Sequence, residues 1–175
     1  MISLLGAPAT THAEPLPPGK LGMVTGVRNG VGPTDGEIGY GWTFGFEAAW
    51  QPMGPEQRLG WGINWTLLWA YFGAESGARI TETLDLLELD LGGRLRLAPQ
   101  LGRPLYVTLG AGAGLMRANA PLPPDNTRST FGAYGSLGVE HGLWGTLLLS
   151  LELRTGFIGS EPTLATGLVG VGVSL

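Results

Sequence analysis

Few side chains in this sequence could do chemistry. Its histidines are His12 and His141, and it has no cysteine. Hydrolysis needs a nucleophile, a base and an orienting acid within hydrogen-bond reach. His141 closes a segment in which it shares the parity of Leu137 and Val139, whereas Ser150 shares a face with Glu152 and Arg154. The two therefore fall on opposite sides of a sheet, and His141 reads as an interfacial histidine near Trp144. The acids Glu88 and Asp90 are two residues apart, a pairing that would suit glycosidase chemistry or a cation site. With Arg94, Arg96 and Arg154 available, salt bridges are the expectation instead. The run "GAGAG", Gly110 to Gly114, neither follows a strand nor opens a helix, so it is not a phosphate loop. We therefore expect no catalytic residue, no metal and no cofactor, and read the chain as a non-enzyme.

Composition says what kind of surface these residues sit in. Glycine occurs 31 times in 175 residues, more than double a typical share of roughly 7%. Charged residues make up 14%, against roughly 25% in an ordinary soluble domain. A surface so poor in charge is not wholly in contact with water. The net charge of −4 and the scattered arginines leave no basic footprint, which argues against a nucleic-acid partner. No apolar run reaches the roughly 18 residues of a membrane helix. Residues 1–20 read as the remainder of a signal peptide or a proline-rich N-terminal arm, and residues 21–175 as one domain.

From Leu21 the chain divides at Gly, Pro, Asn and Asp clusters into eight segments, most of them roughly 10 to 16 residues long. "YGWTFGFEAAW", Tyr40 to Trp50, shows their pattern: every second residue is apolar or aromatic, and between them lie Gly41, Thr43, Gly45, Glu47 and Ala49. Period two means an extended strand with unlike faces. One face carries Trp61, Ile63, Trp65, Leu67 and Trp69 in the third segment and Leu147, Leu149, Leu151 and Leu153 in the seventh. The opposite face is small or polar.

The aromatics decide which face looks outward. Tyr40, Trp42 and Trp50 flank one apolar run, Trp61, Trp69 and Tyr71 the next, and Trp144 lies in a turn. Ten residues at about 3.3 Å each, tilted by about 45°, rise roughly 23 Å, close to the roughly 25 Å apolar band of an outer-membrane barrel. Aromatic rings that far apart are expected to form interfacial girdles, so the bulky face meets lipid. The other face carries Arg28, Glu47, Asn64, Glu88, Asp90, Arg94, Arg96, Glu140, Glu152 and Arg154, near balance in sign. Enclosed in a narrow barrel, such a set must pair with itself. One segment, "ITETLDLLELDL", also fits a helix, with Ile80, Leu84, Leu87 and Leu91 at helical spacing. The strand reading predicts a bulge at Leu86-Leu87, so that Asp85, Glu88 and Asp90 all point inward.

From Leu21 to Leu175 this pattern resembles the small eight-stranded outer-membrane barrels of the OmpA/OmpX type. The resemblance implies an all-β, closed, up-and-down antiparallel transmembrane barrel of eight strands in a Gram-negative outer membrane, with periplasmic termini. Where such barrels end on an aromatic residue, this chain has Leu175. Members of the family act as anchors, adhesins, surface receptors or, in some branches, lipid-modifying enzymes, and fold alone does not choose. The expected function is a monomeric anchor or surface-interaction protein with a lumen blocked by salt bridges. Its partners would be membrane lipid, lipopolysaccharide and other envelope proteins reached through the loops. A narrow channel for ions or small solutes is the alternative, and a lipid-modifying enzyme comes third.

Overall fold

A computed structural model describes residues 18–31, 40–52, 57–72, 83–97, 105–119, 127–158 and 163–175. Eight strands run through these residues: β1 (Gly19–Val31), β2 (Gly41–Trp50), β3 (Leu59–Phe72), β4 (Thr83–Leu97), β5 (Leu105–Asn119), β6 (Thr127–Gly142), β7 (Leu147–Ile158) and β8 (Thr163–Ser174). Each pairs antiparallel with the next, and β1 pairs with β8 from Lys20↔Ser174 to Val31↔Thr163, closing the sheet into a barrel. Closure removes the free strand edges that a sheet would otherwise expose. The N-terminal leader reading and the loops at the end opposite the chain termini lie largely outside the described residues.

Alternation along each strand is what makes the wall two-faced. On β3 the burial alternates at nearly every residue, from exposed Leu59 to buried Phe72. Outward residues are large and apolar: Trp42, Phe44, Phe46, Trp65, Leu91, Leu151 and Val171 are all exposed. An apolar exterior of this extent among the described residues is incompatible with water on the outside and suited to hydrocarbon. Inward, Glu47, Glu152 and Arg154 are buried. The barrel is therefore a soluble barrel turned inside out.

The region 83–97 corrects part of the sequence reading. It is strand, not helix, and its register against β3 runs without interruption through Trp69↔Leu87, Ala70↔Leu86 and Tyr71↔Asp85. There is no bulge at Leu86-Leu87. Asp85 consequently takes the outward parity, opposite Tyr71, and Leu86 is fully buried inside. The inward face is also less uniformly small or polar than the pattern predicts. Leu68, Ala70, Phe72 and Leu86 are buried on β3 and β4, and Val24, Leu68 and Leu168 pack together in the lumen.

Two glycines have specific work. Gly145 adopts φ of 54° in the β6–β7 turn, where the Leu147 N–H donates to the Trp144 carbonyl at 2.8 Å. That left-handed conformation suits glycine. Gly110 on β5 faces Tyr134 on β6, and a Cβ there would lie 2.5 Å from the ring. The missing side chain is what lets the tyrosine lie flat against the wall and fill the lumen.

Candidate functional site

The charged residues inside the barrel form its candidate functional site, and β4 is its spine. Alternation puts Glu88, Asp90, Gly92, Arg94 and Arg96 on one inward row. Both acids lie toward the strand's start, both arginines toward its end. Because β4 runs back toward the chain termini, the row's cations sit at the termini end and its carboxylates farther along the axis. Partners from other strands meet each of them across the lumen.

At the termini end, Glu140 of β6 receives three cations. Arg94 Nη2 lies 2.8 Å and Lys20 Nζ 3.1 Å from Oε1, and Arg96 Nη2 lies 3.2 Å from Oε2. Lys20 also pairs with Glu47 of β2, to which the Ser150 hydroxyl donates at 3.3 Å. Farther along, Arg154 of β7 pairs with Asp90 at 2.5 Å and with Glu152 at 3.2 Å, and its guanidinium stacks 4.2 Å over the Tyr134 ring. The Thr66 hydroxyl donates to the same Asp90 oxygen at 3.1 Å. Beyond that, Arg28 pairs with Glu88 at 2.7 Å and its Nε donates to Thr166 at 2.9 Å. These groups are all 7% exposed or less.

Each sequence-selected lumen residue is thus buried on the inward face. Nine of the ten, Arg28, Glu47, Glu88, Asp90, Arg94, Arg96, Glu140, Glu152 and Arg154, meet in ion pairs. Asn64 is buried among them, its Oδ1 without a hydrogen-bond partner among the described residues. Sequence reasoning missed Lys20, which it left in the N-terminal arm. The signal was present: Lys20, Gly22, Val24, Gly26 and Arg28 continue one alternating row, and β1 begins one residue earlier, at Gly19. It also missed Gln51 and Thr166, whose neutral side chains do not stand out from sequence, whereas Thr66 and Ser150 lie on the inward face where alternation puts them. The sequence also offers Tyr106, Met116 and Tyr134 as side chains that could fill a narrow lumen; Tyr134 is buried there, and the side chains of Tyr106 and Met116 lie outside those described.

Among the described residues, small cavities lie between these groups. A cavity of about 10 Å³ lies at the termini end against Lys20, Gln51, Arg94 and Arg96, and another of about 10 Å³ lies against Arg28, Glu88, Tyr134 and Arg154. Each has room for about one water molecule. Among the described residues no three acidic or histidine side chains converge as a metal site would require. His141 is exposed on the outward side, and Ser150 is turned into the lumen toward Glu47.

The aromatic residues selected as interfacial girdles occupy the outer surface. Trp42 pairs with Tyr71, and Phe44 stacks against Trp69 with ring centroids 5.1 Å apart. Trp50 and Trp61 lie toward the opposite end of β2 and β3, with Trp144 in the β6–β7 turn at that same end. Tyr40, Trp42, Trp50, Trp61, Trp69, Tyr71 and Trp144 are all exposed, Trp144 the most at 79%. Two levels of amphipathic rings bounding an apolar band are what a bilayer's two interfaces select.

Fold, exterior and lumen together define the class by architecture: a small, closed eight-stranded β-barrel whose apolar exterior suits a lipid bilayer. No protein-family model matches the sequence, and no curated protein matches it. Solved structures do match the fold. Neisserial surface protein A is similar with a TM-score of 0.66 at 9% identity, over 90% of this chain and 97% of that one. Ail, the attachment invasion locus protein of Yersinia pestis, gives 0.59 at 14% identity, over 89% and 97%. The outer membrane protein OprG from Pseudomonas aeruginosa gives 0.57 at 9%, over 92% and 99%.

Proposed function

We propose that this chain is a monomeric anchor or surface-interaction protein of the Gram-negative outer membrane, without enzymatic activity and with a lumen plugged by ion pairs. The observation that carries this reading is the set of charge-paired side chains reaching across the lumen from β1, β2, β4, β6 and β7, with water-sized cavities between them among the described residues. Buried pairs of this kind resist separation, because removing one partner leaves a charge uncompensated in a low-dielectric interior. Ions therefore have no low-energy path along the axis. The termini end is periplasmic in this reading, and the strand connections at the other end face outward. Those connections make the contacts, with lipopolysaccharide at the rim and with other envelope components beyond it. Ail has been solved with the heparin analogue sucrose octasulfate, so a barrel of this fold can bind a sulfated sugar.

Planar-bilayer recording of the purified barrel tests the plug. Wild type is expected to be silent, and a variant lacking both Glu140 and Arg154 is expected to conduct. Steady conductance in wild type would replace this proposal with the narrow-channel reading. Incubation with lipopolysaccharide should leave its acyl chains unaltered; a change in them would establish the lipid-modifying alternative.

A further inference from the structure

Two buried polar atoms at the termini end of the lumen belong to residues that line the same small space. Gln51 follows directly on β2, and its side-chain Nε2 donates to the Gly60 carbonyl at 2.6 Å. That bond fixes the amide and leaves Oε1 as an acceptor with no hydrogen-bond partner among the described residues. Arg96 of β4 turns its Nη2 to Glu140 Oε2 at 3.2 Å, and its Nε donor likewise has no hydrogen-bond partner among the described residues. Gln51 is 3% exposed and Arg96 4%. Buried donors and acceptors rarely stay unmatched, because each has given up its bonds to water.

Gln51 and Arg96 both line the cavity of about 10 Å³ at the mouth, next to exposed Pro18, with Lys20, Ala49 and Glu140 also in its wall. The volume corresponds to a single species the size of water. Its chemistry is set by the wall. An occupant must accept a bond from Arg96 and donate one to Gln51. A halide only accepts, and a metal ion would face the cations of Lys20 and Arg96. The carboxylate of Glu140 opposes an anion in the same space. A neutral molecule that both donates and accepts satisfies every group.

We propose that this cavity is a binding site for one ordered water molecule, which accepts a hydrogen bond from Arg96 Nε and donates one to Gln51 Oε1. Lys20 and Glu140 stand beside it as further partners, within the two to four that hold buried waters. The water joins the end of β2 to β4 across the lumen without passing through β3, and so ties Gln51 into the cluster around Glu140. The site needs only the closed barrel, so it stands or falls separately from the silence of the lumen in bilayer recordings.

The full-length barrel, refolded in lipid nanodiscs with nitrogen-labelled arginine, tests this by water–protein NMR. A through-space peak from bound water is expected at the Arg96 Nε–H. Crystals of the same protein grown in bromide should show one water at hydrogen-bond distance from Gln51 Oε1 and Arg96 Nε, with no anomalous signal. Gln51→Met keeps the side-chain length but removes the acceptor, and Ala49→Leu fills the space while keeping both polar groups. Each should abolish the Arg96 water peak and lower the urea midpoint. A missing water peak in wild type, bromide in the cavity, or a peak unchanged in Ala49→Leu would each overturn the proposal. If Gln51→Met fails to fold because the Gly60 carbonyl loses its donor, Ala49→Leu and the crystal decide.

Discussion

The two ends of this lumen are filled differently, the termini end by ion pairs and the other by apolar side chains beside the single Arg28–Glu88 pair. At the termini end, Lys20, Glu47, Arg94, Arg96 and Glu140 hold one another in ion pairs. Toward the other end of β3 and β4, the wall turns in Leu68, Ala70, Phe72 and Leu86, which fill space by contact alone. Both satisfy the same geometric need, since a barrel of eight strands is just wide enough for its own side chains. They differ in what they tolerate. A packed leucine loses stability in proportion to the volume removed, whereas an ion pair loses one partner and leaves the other exposed to the full cost of burial. The ionic end is therefore the brittle one.

That contrast can be broken or sharpened by substitution, with stability read as urea unfolding of the refolded barrel in liposomes. Glu140→Gln should have the largest effect, a loss of about 3–5 kcal/mol, because three cations share that carboxylate. A loss under about 1 kcal/mol would mean that water already screens the cluster. Leu86→Ala, at the apolar end, should cost somewhat less within a range of about 2–5 kcal/mol, set by how far β3 and β4 close over the cavity. Leu91→Arg alters the outer surface instead. It should cost about 2–4 kcal/mol in a bilayer, and far less in a detergent micelle that can adapt around the charge.

The smallest change should come from a double substitution that extends the apolar end. Arg28→Met with Glu88→Leu removes a whole buried pair, and its effect should lie within about 1 kcal/mol of neutral or be stabilising. Either single substitution should be clearly worse than the pair. If instead the double variant were as damaged as Glu140→Gln, the Arg28–Glu88 pair would be specifying the fold and not only filling it.

How much of this was legible beforehand depended on whether a residue's role was set by its own strand. Trp42, Trp61 and Trp69 could be placed on the outer surface because alternation and position along the strand suffice. The inward parity of Glu47, Glu152 and Arg154 was readable for the same reason. Leu86 was misread because the sequence reading required the inward row to stay polar, and so introduced a bulge to keep Asp85 inside. The continuous β3–β4 register shows that a lumen accepts leucine where neighbours from other strands are also apolar. Lys20 was missed because the proline-rich run before it was read as an arm extending through residue 20, although its parity continues the inward row of β1, which pairing with β2 and β8 carries to Gly19 and Lys20.

The amino-acid sequence by itself determined the two faces of the wall, since period two is a local property that each strand expresses without reference to the others. It also determined that the bulky face should meet hydrocarbon, because aromatic residues recur at the spacing of two interfaces. Only the tertiary structure decided which charges meet. Glu140 collects Lys20, Arg94 and Arg96 from strands far apart in sequence, and their encounter depends on register, shear and closure of the whole barrel. Coulomb attraction falls off with distance and is strongest in a dry interior, so ion-pair identity belongs to the closed barrel and not to any one strand.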